Sequence, residues 1–466
     1  MLRSLRRVRL VEVQLLITVL LFFAAGYVMV IATRQRNLLV GGISVPTVVD
    51  ILWPSSLPLV LYLLVSAGLS YRNPNADQLL LPMVALLSGL GLMFTARVEP
   101  VLLRYLDSDG NPIYGAIASK QSLFVTMGVI LLVLMVFVDW DRWIFIRFFR
   151  TSMMDWLKNH RWTWMLFGVG LMVLTFIIGV DPNGSGVKVW FRLPGGFLFQ
   201  PAELLKIILV IFLASYLMEH REVVAGGYRI GRFTVPPLPY LVPMGGIWLL
   251  CMGLIVKQSD LGAALLLFGI FVAMLYVATG KASYAVASLS AFAIGAFAMY
   301  KVIGKVQERV AIWLDPWADA AGLGYQIVQS QYGLAAGHVV GRGLGQGAPT
   351  FVPAVHTDFA FSGLGEELGL VGTVGILIVY AMMVYRGYRI ALAVPGRFRG
   401  FEQMMAVGLT TILAIQALII IGGNLRVIPL TGITLPFISY GGSSVLMNFV
   451  IIGLLLRISA NTSKAV

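Results

Sequence analysis

Twelve long apolar runs succeed one another along this chain, at about 11–33, 51–71, 78–96, 121–139, 162–181, 202–218, 237–257, 261–279, 284–303, 359–384, 403–422 and 443–458. Each approaches or exceeds the roughly 18–20 apolar residues that a helix needs to cross a bilayer. In hydrocarbon the backbone N–H and C=O groups must be satisfied within the segment, so helices are the expected element. The charged fraction of 12%, about half the soluble norm of roughly 25%, agrees. The expected fold class is an all-α polytopic membrane protein with about 12 transmembrane helices. No window between the runs could build a separate soluble domain. Residues 237–279 are broken by Lys257-Gln-Ser-Asp260 alone; 43 residues are far too many for one span, so two helices with a tight turn are expected there.

With the N-terminus inside, 20 of the 34 Lys and Arg residues fall in cytoplasmic segments. The positive-inside rule then places both termini in the cytoplasm. The net charge of +13 is explained by that topology and by anionic membrane lipids, with no call for nucleic acid. Among the remaining cations, Arg97, Arg104, Lys120, Lys188, Arg192, Lys257, Lys305, Arg309, Arg342 and Arg426 gather at or near the outer face. An anionic substrate would account for them. The lone Cys251 excludes an intrachain disulfide framework, and the four His residues lack metal-ligand spacing.

The one long polar excursion runs from Gly304 to Asp358, a large extracytoplasmic loop in this topology. It ends in Pro353-Ala-Val-His356-Thr-Asp358-Phe359, where the chain re-enters apolar sequence. Asp358 at that rim is the leading candidate for a base, with a helix N-cap as the structural alternative. Glu366 and Glu367 lie roughly 12 Å deeper on the same helix. Intramembrane acids are functional candidates by default; the alternative is an ion pair, with Lys206 or Lys257 as partners. Glu203 and Lys206, three apart, suit a pair of their own, and Asp260 closes the turn after Lys257. Pro201 with Glu203 two residues on marks a helix start. The run Gly341-Arg-Gly-Leu-Gly-Gln-Gly347 lacks the Lys-Ser/Thr of a nucleotide loop, so loop flexibility outweighs phosphate binding there. Ser443 and Ser444 enter the last span after two glycines, as a cavity-lining break or as small-residue packing. Trp190, Trp313 and Trp317 suit an interfacial belt, and any of them could stack on a sugar.

These segments resemble the SEDS family (shape, elongation, division and sporulation), which includes FtsW, RodA and SpoVE. The blocks are Gly186-Val-Lys-Val-Trp190, Gln200-Pro-Ala-Glu203, Ser259-Asp-Leu-Gly262, Tyr325-Gln326, Gly341–Gly347, His356-Thr-Asp-Phe359, Gly365-Glu-Glu-Leu-Gly369 and Leu435–Ser444, in family order. Two departures stand out: Ser259 where the family has Pro, and Val189 where a basic residue is common. Arg97-Val-Glu-Pro100 resembles the RodA-like branch.

The resemblance implies a ten-helix core over 78–466, with residues 1–77 a two-helix N-terminal addition. It implies a peptidoglycan glycosyltransferase of the bacterial cytoplasmic membrane that polymerises lipid II and releases undecaprenyl pyrophosphate, with Asp358 as the catalytic aspartate. Arg97, Lys120, Lys188, Trp190, Arg309, Arg342, His356, Ser443 and Ser444 become candidates for substrate binding, and Glu203, Lys206, Asp260, Glu366 and Glu367 for intramembrane polar support. A divalent cation, magnesium or manganese, is a candidate to share the diphosphate charge, and no organic cofactor is called for. The implied partner is a class B penicillin-binding protein, a transpeptidase. Two other readings are a lipid II flippase, with Glu203, Lys206, Glu366 and Glu367 along its path, and a non-catalytic division or elongation scaffold.

Overall fold

In the computed structural model every apolar run becomes a helix. The structure describes residues 9–38, 48–103, 115–182, 186–230, 233–235 and 237–462. Its long helices are α1 (Leu10–Leu38), α2 (Val48–Arg72), α3 (Leu80–Leu102), α4 (Ile117–Phe137), α5 (Arg161–Ile178) and α6 (Pro201–Glu219). They continue as α7 (Leu238–Lys257), α8 (Leu261–Thr279), α9 (Ala282–Val302), α10 (Ala360–Ala393), α11 (Gly396–Asn424) and α12 (Gly442–Thr462). Among the described residues, 11 are long and apolar enough to cross a membrane; in α2 the apolar stretch is the shorter Ser56–Arg72. The expected break between α7 and α8 is present. Small antiparallel ribbons, Phe191–Arg192 with Leu198–Phe199 and Tyr228–Ile230 with Phe233–Val235, are the strands within this helical fold. Arg104 lies outside the described residues.

The chain forms two compact units. The first comprises Met1–Val136, Ala311–Arg386 and Ile420–Ser463. Small residues let its helices approach closely, as in membrane bundles generally. A Cβ on Gly89 of α3 would lie 2.2 Å from the Phe23 ring of α1, and one on Gly128 of α4 would lie 2.2 Å from Phe449 of α12. The Tyr62 hydroxyl meets Ser88 at 2.7 Å. A buried ionic cluster ties the segment before α3 to α1 and α10. Arg9 is 1% exposed; its guanidinium pairs with Glu12 three residues on at 2.5 Å, and also donates to the Asn73 and Asp77 carbonyls. Arg386 grips the Asp77 carboxylate through Nε at 2.7 Å. The other Asp77 oxygen accepts from the backbone N–H groups of Leu79 at 2.9 Å and Leu80 at 3.1 Å, starting α3.

The second unit comprises Phe137–Val310, Gly387–Ile419 and Lys464–Val466. Here α5 packs on α6 where Gly168 meets Leu205 and Ile208, and Gly408 of α11 receives Val210 and Met274. Helix α6 begins at Pro201, as its sequence requires, because proline has no N–H to lose at a first helical position. Asp260 caps α8 by accepting from the Ala263 N–H at 3.0 Å.

Candidate functional site

Within the first unit, Asp358 sits in a turn that closes just before α10. Its N–H donates to the Ala354 carbonyl at 3.1 Å, and the Phe359 carbonyl accepts the first helical bond, from Gly363, at 2.9 Å. Phe359 therefore occupies the cap position, and Asp358 precedes it, half-buried. Three successive carbonyls of this turn are held from outside it. That of His356 accepts from the Tyr440 N–H at 2.8 Å. That of Thr357 accepts from the Ser439 hydroxyl at 2.5 Å. That of Asp358 accepts from the Asn424 side-chain amide at 2.8 Å. Gly432 stands beside it at φ 76°, where an added Cβ would lie 3.5 Å from a carboxylate oxygen of Asp358, an ordinary van der Waals contact.

The other candidates of the first unit are placed by their own contacts. His356 is buried, 5.8 Å from the Tyr440 ring, and burial holds its imidazole down to about 4. Lys120, exposed in the first turn of α4, precedes Gln121, whose amide reaches the Ser439 carbonyl at 3.3 Å. Ser443 and Ser444 are buried at 3% and 6% exposure, and the Thr434 hydroxyl donates to Ser444 at 2.7 Å. Trp313 and Arg426 bind one another's backbones: the indole N–H donates to the Arg426 carbonyl at 3.1 Å, and the guanidinium returns bonds to the Trp313 and Leu314 carbonyls. Trp317 is exposed against Tyr332.

The two acids of α10 are ion-paired, with partners other than those expected. Among the described residues their ion pairs are with arginines, where Lys206 or Lys257 was the expected partner. Glu367 takes Arg97 of α3 at 3.1 Å, and Glu366 lies 3.7 Å from Arg342. The chain supplies these arginines from α3 and the glycine-rich run. Arg97 also donates to the Gly345 and Gly347 carbonyls at 2.9 Å each. The glycines of 341–347 prove to serve close approach more than flexibility. Helix α10 breaks at Gly369 (φ 68°, ψ −168°), and the loop satisfies the backbone groups that the break would orphan. Arg342 and Gly343 donate to the Glu366 and Glu367 carbonyls at 3.0 Å, and Leu370 and Val371 donate to His338 and Val339 at 3.0 Å. A Cβ on Gly341 would lie 2.2 Å from the Glu367 carbonyl oxygen, so glycine is required for contact.

In the second unit, Lys206 is 2% exposed, pairs with Glu203 at 2.5 Å and donates to Gln416 at 2.8 Å. Asp260 accepts from Gln200 at 3.1 Å, and burial is the main cause raising its carboxyl above the ordinary value. Lys257 lies over the Phe176 ring at 5.0 Å. Lys188 is exposed; Trp190 and Arg309 are half-buried.

The comparisons with known proteins bear on this geometry. The sequence model of the FtsW/RodA/SpoVE family, described as cell cycle protein, matches residues 77–464. The chain belongs to the FtsW/RodA/SpoVE family. It is 40% identical over 401 residues to the peptidoglycan glycosyltransferase RodA of Mycobacterium tuberculosis, covering 84% of this chain and 80% of that one. It is 34% identical over 395 residues to the stage V sporulation protein E of Bacillus subtilis, covering 83% and 98%. A solved structure described as "Structural coordination of polymerization and crosslinking by a peptidoglycan synthase complex" superposes with TM-score 0.64 at 27% identity over 83% of this chain and 98% of its own. A mutant of the rod shape determining protein RodA from Thermus thermophilus gives 0.55 at 25% identity, over 82% and 97%.

As a member of the FtsW/RodA/SpoVE family the chain is a multi-pass membrane protein, and its match begins at Asp77, the residue that starts α3. The departure at Ser259 has a backbone counterpart. Ser259 adopts φ 57°, which a proline ring, locked near −65°, cannot reach. Asn424 and Ser439 are the site residues that the sequence reading passed over. The signal available was an amide at the end of an apolar span, since polar groups at membrane depth are candidates whatever their charge.

Proposed function

We propose that this chain polymerises lipid II at the outer face of the cytoplasmic membrane, with both termini in the cytoplasm and Asp358 as the base. The glycosyltransferase class rests on the family and on relatives named for that activity. The observation that supports Asp358 is its half-buried carboxylate in a turn held by three external hydrogen bonds.

The chemistry needs one base and an anion cradle. Asp358 accepts the proton of the C4 hydroxyl of one lipid II as that oxygen bonds to the anomeric carbon of the other chain. The bond from that carbon to the diphosphate oxygen breaks, and undecaprenyl pyrophosphate leaves with the electron pair. A glycosidase needs a second carboxyl group to protonate its leaving group; a diphosphate needs only neutralised charge. Lys120 and Arg342 belong to the same compact unit as Asp358 and are the cations proposed for that task. Arg97 holds the glycine-rich loop.

Among the described residues no three His, Cys, Asp or Glu side chains converge as a metal-ligand set. A magnesium or manganese ion is proposed as a companion of the diphosphate, carried in with the substrate.

Residues 78–466 are proposed as the catalytic core and residues 1–77 as an addition. A class B penicillin-binding protein is proposed as the transpeptidase partner, in keeping with the synthase complex among the structural relatives. The 40% identity to a relative named RodA favours the RodA-like branch.

Purified wild type and Asp358→Ala, each with the transpeptidase partner, lipid II and magnesium, are the test. Glycan polymer from wild type and none from the variant is expected, with EDTA stopping the reaction and added magnesium or manganese restoring it. Polymer from both proteins removes Asp358 from the mechanism; EDTA-resistant synthesis removes the ion.

A further inference from the structure

We infer that Asn424 and Ser439 are positioning residues for Asp358, acting through its backbone. This inference rests on the reading of Asp358 as the base. The Asn424 amide uses its whole hydrogen-bonding capacity. Its nitrogen donates to the Asp358 carbonyl at 2.8 Å and to the Ile420 carbonyl at 3.0 Å. Its oxygen accepts from the Ser362 N–H at 3.3 Å and the Ser362 hydroxyl at 2.7 Å. The Ser362 hydroxyl in turn meets that of Ser330 at 2.6 Å. Asn424 is 1% exposed, and Ser362 and Ser330 are both at 0%. One amide thus joins the end of α11, the first turn of α10 and the peptide of Asp358.

Ser439 does the same from the other side. Its hydroxyl donates to the Thr357 carbonyl at 2.5 Å and accepts from the Leu435 N–H at 3.0 Å, and its own carbonyl receives Gln121 of α4 at 3.3 Å. Ser439 is also 1% exposed. With Tyr440 on the His356 carbonyl, the peptides on both sides of Asp358 are fixed in rotation. A helix cap alone would hold this turn by its N–H groups; here its carbonyls are held as well. Buried polar networks that are fully satisfied specify one arrangement, and a base delivers its rate only when held in the reactive geometry.

The test uses the full chain with its transpeptidase partner and reads kcat and KM for lipid II polymerisation beside the melting temperature. The variants are Ser439→Ala, the isosteric Asn424→Asp, which places oxygen where a donor is needed, and Asp358→Ala. Ser88→Ala is the control: Ser88 is an equally buried hydroxyl of the same unit, bonded to Tyr62. Ser439→Ala and Asn424→Asp are expected to lower kcat roughly tenfold to a hundredfold, with KM within about twofold, on the scale that a 1 Å misplacement costs. Ser88→Ala is expected to lower the melting temperature with kcat unchanged. If Asn424→Asp does not fold, Ser439→Ala decides alone. Wild-type kcat in the positioning variants beside an inactive Asp358→Ala overturns this inference and leaves the base in place. A loss of kcat matched by Ser88→Ala overturns it equally. An active Asp358→Ala removes the base itself, and this inference with it.

Discussion

Burial holds the His356 imidazole down to about 4, against an ordinary value near 6.5. The folded protein keeps this ring neutral where the unfolded chain protonates it, so the unfolded state binds more protons between those values. Stability is therefore complete above about pH 6.5 and falls as pH drops toward 4, by an amount on the order of 3 kcal/mol. Thermal melts in detergent across that window should show the decline in wild type and a flatter profile in His356→Gln. A wild-type melting temperature constant from pH 7 to 4 would speak against it. Single residues were legible in the sequence when they carried a charge in an apolar setting, as Asp358, Glu366, Glu367 and Lys206 do. Their partners were less so, because Arg97 lies 270 positions from Glu367 and nothing local marks the pairing. The hold on Asp358 was illegible for a different reason: it acts on carbonyls, which every residue has.

At the scale of elements, α10 is a broken helix whose first piece, from Ala360 to Leu368, ends at Gly369. That residue's φ of 68° with ψ −168° belongs to a region essentially reserved for glycine. A Cβ there would also lie 2.2 Å from the Gly341 nitrogen. Gly369→Ala should therefore cost more than about 2 kcal/mol, the strain and the overlap acting together. A drop of several degrees in melting temperature and faster proteolysis within 338–343 are the expected readings, and an unchanged melt would contradict the account. The helices themselves were readable from the apolar runs, because hydrocarbon leaves the backbone few alternatives. The break was not. A glycine after Glu-Glu-Leu sits comfortably in a helical pattern, and only the loop running against it shows why it is glycine.

At the scale of the molecule, the helices that precede the family match lie in the same compact unit as Asp358. The resemblance makes them an addition to the core, and the contacts of Phe23 with Gly89 and of Arg9 with the Asp77 carbonyl arise only on folding. A chain beginning at Asn73 should retain polymerising activity, in line with the proposed core, yet melt below the full chain. Equal melting temperatures would show that the packing on α3 adds nothing; loss of activity in a folded short chain would make the first two helices part of the catalytic body.

The pairing of Arg9 with Glu12 bears on how such a chain is made. A lone charge at the centre of a span costs about 2.5–3.5 kcal/mol on insertion scales, and less near the ends, where Arg9 and Glu12 stand; synthesis runs from the N-terminus. Asp77 is added 68 residues after Arg9, and Arg386 another 309 after that. Glu12, by contrast, is three residues away on the same helical face. The first helix can therefore meet the bilayer with its charges already cancelled, and exchange that temporary neutrality for the full cluster once the later helices arrive.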